Sequence, residues 1–188
     1  MTFATLTREG ISLADSAGLK YSLGSGRPTT LRKFAEDLGI DRVELKEMDE
    51  DAMLVKRPDG ISLLLNREHP KVRHRFSMAH ELAHLLLEPV IGDRAIHRRR
   101  FVPHQDPDGQ KIEEICNRMA SAMLMPKNGI EQILQRRGYT AKCVPEIARS
   151  FQVSFEAAGR RYLSVVPKPS AMLFFRRNRN GGIQQVRR

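Results

Sequence analysis

The sequence predicts an α+β fold in which a short helix and a small antiparallel sheet lead into two longer helices and a closing helix-turn-helix-like region. Three observations predict it. Leu31, Phe34, Ala35 and Leu38 recur at the spacing of one helix face. Two strand-like runs, Met53 to Lys56 and Ile61 to Leu65, flank the turn residues Pro58-Asp59-Gly60. Beyond them the apolar pattern returns to helical periodicity, punctuated by Pro89, Pro126 and Pro145.

In chain order, residues 1–28 are rich in Ser, Thr, Gly and Ala, and are expected to be a loosely ordered lead-in with at most one short helix. A core is expected over residues 29–138. Thr30 can cap its first helix and Gly39 can end it, after which Val43 and Leu45 alternate with polar neighbours as in a strand. The hairpin follows. From Arg75 to Leu87 the chain is helical in character and nearly apolar except at Ser77, His80, Glu81 and His84, so this helix is buried on most faces. Residues 90–110 read as a long loop, and a helix from Gln110 to Met125 stops at Pro126. Residues 139–166 form the helix-turn-helix-like region, two helices within Val144–Val165 split near Gln152-Val153, with Pro145 in a first turn and Ser154 as an N-cap. Residues 167–188 are a basic tail in which Ala171 to Phe175 has strand character.

With 188 residues, 40% of them hydrophobic and 29% charged, the chain has the balance of a soluble globular protein. It has no run of about 18 apolar residues such as a membrane span needs, and Met1 to Gly10 lacks the pattern of a secretory leader. Cys116 and Cys143 are too few for a disulfide framework, so a reducing cytoplasm is expected. The net charge of +10 is asymmetric. Up to Val90, 13 Lys and Arg face 14 Asp and Glu; from Ile91 onward, 19 face 8. Clusters such as Arg98-Arg99-Arg100, Arg136-Arg137 and Arg160-Arg161 could attract nucleic acid or an acidic partner, or form a solvated basic face.

The chemistry gathers at His80-Glu81-Leu82-Ala83-His84. Residues four apart share a helix face, so both imidazoles can reach one ion. Glu81 lies about 100° further round, placed to act on a bound water as general base. Zinc needs a third protein ligand. The glycine and third histidine of metzincins are absent, since Leu87 and Val90 stand at those places. Glu88 continues the histidine face, but one straight helix cannot wrap three ligands round an ion; His97 and His104 are outside candidates. On the Gln110–Met125 helix, Ile112, Ile115, Cys116, Met119, Ala120 and Met123 make an apolar stripe. Glu113 sits at its rim, whereas Glu114 points away with Arg118. Glu113 is therefore the expected ligand and Glu114 its rival. Asn117, one turn on, faces the same way and can orient a ligand. Cys116, Met119, Met123 and Met125 are read as core filling.

Arg75-Phe76-Ser77-Met78-Ala79-His80-Glu81-Leu82-Ala83-His84, then Glu113-Glu114-Ile115-Cys116-Asn117 and Leu124-Met125-Pro126, resemble the ImmA/IrrE metallopeptidase family over about Thr30 to Tyr162. The resemblance implies a zincin-like core of gluzincin type. It places the metal ligands at His80, His84 and Glu113 and the catalytic glutamate at Glu81. It further implies a zinc ion, with manganese as the alternative. The implied activity is an endopeptidase that cleaves or antagonises a helix-turn-helix (XRE-type) repressor and so derepresses stress or mobile-element genes.

Two rivals stand beside this expectation. The Val144–Ala157 segment, with Arg160 and Arg161 meeting phosphate, would make a DNA-binding regulator. A metal-bearing but proteolytically silent protein could sequester its repressor. Tyr139, His97 and His104 are each candidates for stabilising an oxyanion.

Overall fold

The computed structural model describes residues 2–25, 28–91, 107–177 and 183–185. Its first element corrects the expected loose lead-in. Residues Phe3–Lys20 form an 18-residue helix, α1, whose N-cap Thr2 accepts a hydrogen bond from Thr5 N. Its buried residues are Leu6, Gly10, Ala14 and Gly18, four apart and therefore in one line. That line lies flush against a later helix. A Cβ added at Gly10 would stand 2.8 Å from Met119 Sδ, and one at Gly18 would stand 2.6 Å from Met123 O. Small residues form the contact, so the stripe has almost no hydropathy.

Helix α2 (Pro28–Asp37) buries Leu31, Phe34 and Ala35, as expected. It starts three residues early, at Pro28, which puts Thr30 inside the first turn rather than at the cap. Gly39 (φ +83°) ends it. Strands β1 (Ile40–Lys46), β2 (Ala52–Arg57) and β3 (Gly60–Asn66) follow. The hairpin is the expected one, with Arg57 opposite Gly60 and only Pro58-Asp59 between the strands. Gly60 has φ +131°, and a Cβ there would collide with the Asp41 carboxylate, which accepts from Ile61 N at 2.7 Å.

The sheet is mixed, correcting the antiparallel expectation. Its order is β1-β3-β2, and β1 runs parallel to β3. The β1–β2 connection leaves a gap that β3 fills. Asn66, buried, closes that connection by donating to the carbonyls of Met48 and Glu50. Ser62 to Asn66 are all buried, the mark of a central strand. Ile61–Leu65 therefore cannot be an edge; among the described residues β2 and β1 are the edges.

Helix α3 (Lys71–Ile91) carries the histidines and continues through Pro89, two residues past the expected break. Residues 92–106, with His97, His104 and the Arg98-Arg99-Arg100 cluster, lie outside the described residues. Helix α4 (Pro107–Leu124) begins on a proline, which suits a first turn. After Met125-Pro126 come α5 (Lys127–Arg137), α6 (Val144–Phe151) and α7 (Phe155–Val165). Gln152, left-handed at φ 52°, splits α6 from α7, and Ser154 caps α7 by accepting from Ala157 N, as expected. The strand expected at Ala171–Phe175 is displaced: β4 (Phe175–Arg177) pairs antiparallel with β5 (Ile183–Gln185).

Buried apolar residues fall into two clusters. One joins α1, α2, the sheet, α3 and α4; the other joins Met125, α5, α6 and α7. Arg161 crosses between them. Only 7% exposed, it donates to Asp15 Oδ1 at 2.7 Å and to Met125 O at 3.0 Å, while Lys127 N reaches the same Asp15 oxygen at 3.1 Å. Burial pulls the Arg161 pKa below its ordinary value, and the Asp15 charge opposes that pull. No helix among the described residues is long and apolar enough to cross a membrane.

Candidate metal centre

Helix α3 buries Ala79, Leu82, Ala83 and Leu87 completely, and with them Ser77, Glu81 and His84. Polar groups in such a wall require partners. Helix α4 packs against α3 and turns Glu113 toward the histidines. His80 Nε2 lies 3.1 Å from Glu113 Oε2, His84 Nε2 lies 3.4 Å from Glu113 Oε1, and the two Nε2 atoms are 3.2 Å apart. The rings meet edge-on with centroids 4.9 Å apart.

The two histidines each face a different Glu113 oxygen, and with one atom from each residue the donors lie within 4.8 Å of one another, a group that could hold a metal ion. Ligand bonds of about 2.0–2.1 Å in a tetrahedral zinc site put neighbouring donors about 3.3–3.4 Å apart. The donor set of two imidazoles and a carboxylate is a zinc set, and manganese accepts it too. His80 Nδ1 lies 3.0 Å from Asn117 Oδ1. An amide oxygen only accepts, so Nδ1 donates to Asn117, and a metal bound at His80 would take Nε2. The group has a closed floor and an open rim: the His84 side chain is 2% exposed, that of His80 13% and that of Glu113 45%. Glu81 is buried on α3 one position after His80 and is not one of the three clustered donors.

The rivals separate cleanly. Glu114 points to solvent and accepts from Arg118 at 2.7 Å. Glu88 pairs with Lys56 of β2 at 3.1 Å. Cys116, Met119, Met123 and Met125 are fully buried. Tyr139 is 52% exposed in the segment after α5. Among the described residues, Arg160 pairs with Glu156, and Arg136 and Arg137 with Glu146. Arg161 turns inward to Asp15, which corrects its expected role in meeting phosphate.

Sequence reasoning missed the partners of Arg75. On α3, five residues before His80, it donates to Phe151 O (2.9 Å), Gln152 O (2.8 Å) and Leu23 O (3.1 Å). Lys71 and Arg73 precede it on the same helix, so its charge alone does not single it out, and carbonyl acceptors carry no sequence mark.

The profile of the IrrE N-terminal-like domain, peptidase family M78, matches residues 35–163. A radiation response metalloprotease IrrE of Deinococcus deserti is 33% identical over 105 residues, covering 54% of this chain and 35% of that protein. The protein of the same name from Deinococcus radiodurans is 30% identical over 116 residues, covering 60% and 34% respectively. The matches thus span about a third of the length of these relatives. Among solved structures, a Mycobacterium tuberculosis transcriptional regulator superposes with a TM-score of 0.60 at 18% identity, over 98% of this chain and 60% of that one. That likeness is one of fold.

Proposed function

The chain belongs to the IrrE N-terminal-like family of M78 peptidases, and from that premise we propose that it is a zinc-dependent endopeptidase with the metal on His80, His84 and Glu113. The observation that carries the reading is the convergence of those three donors within 4.8 Å of one another. When bound, zinc supplies a Lewis acid that polarises the scissile carbonyl and makes a water acidic near neutral pH. Glu81 takes a proton from the attacking water, whose oxygen bonds to the carbonyl carbon. As the C–N bond breaks, Glu81 passes that proton to the departing nitrogen. Asn117 holds the His80 ring in the tautomer that leaves Nε2 unprotonated.

The substrate is a protein, and we assign it to the helix-turn-helix repressors of stress or mobile-element genes, acted on in the cytoplasm. An extended linker of the repressor adds to the free edge of β2, the sheet edge that Lys56 ties to α3 through Glu88. A DNA-reading role for α6 and α7 has weaker support. Arg161 is committed to Asp15, and Met172 and Phe174 press on α7, where a Cβ at Gly159 would meet their atoms at 2.8 and 2.6 Å. A silent, sequestering role would leave the buried Glu81 without a task.

The test is incubation of the purified chain with the repressor encoded beside its gene. We expect one discrete cleavage that a chelator stops and zinc restores, with manganese as a parallel arm. Binding without cleavage in all arms would move the protein to the sequestering class.

A further inference from the structure

Three features of Arg75 set it apart from the other arginines of the described residues. Its three hydrogen bonds all go to carbonyls at the ends of helical elements: Phe151 and Gln152 where α6 stops, Leu23 in the 3-10 turn Leu23–Ser25. The Phe151 and Gln152 carbonyls, at the C-terminal end of α6, lack intrahelical donors and carry the negative end of a helix dipole. Its Nε is buried with no hydrogen-bond partner, and desolvation holds its pKa below the ordinary arginine value. Among the described residues no carboxylate pairs with it, in contrast to Arg161 and Asp15. A partly buried cation held by carbonyls alone keeps its place only while those carbonyls keep theirs.

The carbonyls belong to Phe151 and to the neighbours in sequence of Phe151 and of Gly24, which its ring touches. Phe151 is wedged between two glycines, so that a Cβ at Gly24 would fall 2.8 Å from Phe151 Cδ1 and one at Gly129 2.9 Å from its Cζ. The Gly24 turn also touches α4, since the same Cβ would approach Leu124 O at 3.1 Å. An open surface depression of about 190 Å³, lined by Gly18, Leu19, Ser22, Pro126 and the two glycines, borders the ring. The metal donors come from α3 and α4, so the fit of the site depends on how those two helices sit together. Arg75 pins α3 to the turn that touches the end of α4.

We propose that Arg75 couples the α6–α7 turn to the metal centre, so that a displacement of Phe151 alters the position of α3 and with it the metal affinity of His80, His84 and Glu113. Any partner that shifts the turn would then regulate the site. The inference rests on the metal reading above for its consequence, and on geometry alone for the coupling. Arg75 acts through α3 and is a positioning residue.

The experiment is a double-variant cycle. Gly129→Ala lies in α5, pushes on Phe151 and replaces glycine by a better helix former, so the fold should survive. Arg75→Lys keeps the charge but cannot span three carbonyls. Two readouts are taken: zinc affinity by chelator competition, and amide hydrogen exchange over residues 76–85 in metal-free protein. With Arg75 present, Gly129→Ala should weaken zinc binding by about threefold to thirtyfold and speed exchange across those amides. In the Arg75→Lys background it should change neither. Equal effects of Gly129→Ala in both backgrounds, or none in either, would overturn the coupling. If the wild-type chain binds no zinc, the metal reading fails separately, and the exchange data still decide the coupling.

Discussion

The apolar cluster around α3 and α4 and the one around α5, α6 and α7 are equally dry but bury different chemistry. Leu82 and Ala83 in the first and Ile130 and Leu134 in the second have no exposed surface. Of the buried polar side chains, Ser62, Asn66, Ser77, Glu81 and His84 belong to the sheet and α3, and only Arg161 to the helical end. That arginine comes with a carboxylate and acts as a clamp. On α3, Glu81 and His84 lie beside His80, which with Glu113 of α4 makes a group that could hold a metal. Where a fold spends burial on paired charges it secures geometry; where it gathers unlike ligands, it prepares chemistry.

Several variants can break or sharpen this contrast. The largest effect is expected in the second cluster, where Leu134→Ala empties fully buried volume and should cost about 2–5 kcal/mol by denaturant melts. Zinc should not reverse that loss. Next, zinc at a hundredfold excess over its Kd should stabilise the wild-type chain by about 2.7 kcal/mol, and His84→Ala should show none of this. A zinc-induced rise in Tm that persists in His84→Ala would detach the metal from α3. Asn117→Leu should weaken zinc binding about tenfold to a hundredfold while the metal-free Tm stays close to wild type, because only the orientation of His80 is lost. The smallest effect belongs to Gly18→Ala, about 1–2 kcal/mol of destabilisation, since its Cβ would meet the Met123 carbonyl. A neutral result there would mean that α1 lies less tightly on α4 than the contact implies.

Much of this arrangement was legible in the sequence because its signals are local. The hairpin at Pro58-Asp59 and the split at Gln152 follow from turn chemistry. The face shared by His80 and His84 follows from helical phase, and the same phase separated Glu113 from Glu114 before any tertiary contact was known. What escaped is either non-local or chemically faint. Helix α1 packs through Gly10, Ala14 and Gly18, which carry spacing without hydropathy. The parallel pairing of β1 with β3 depends on which strand fills the gap, and alternation within each strand is silent on that. Arg75 binds backbone carbonyls 52 to 77 residues away, and every residue has a carbonyl. The sequence offers Arg161 as a phosphate contact, since nothing local marks its partner, Asp15, 146 positions distant.

The central claim, that His80, His84 and Glu113 hold a metal which Glu81 turns to hydrolysis, is tested most directly by Glu81→Gln beside the wild type, with zinc content and repressor cleavage measured on the same samples. We predict one zinc per chain in both proteins, and cleavage slowed about a hundredfold to ten-thousandfold in the variant, the range for loss of a general base. Cleavage by Glu81→Gln at the wild-type rate, or wild-type cleavage undiminished after the zinc is stripped, would contradict it.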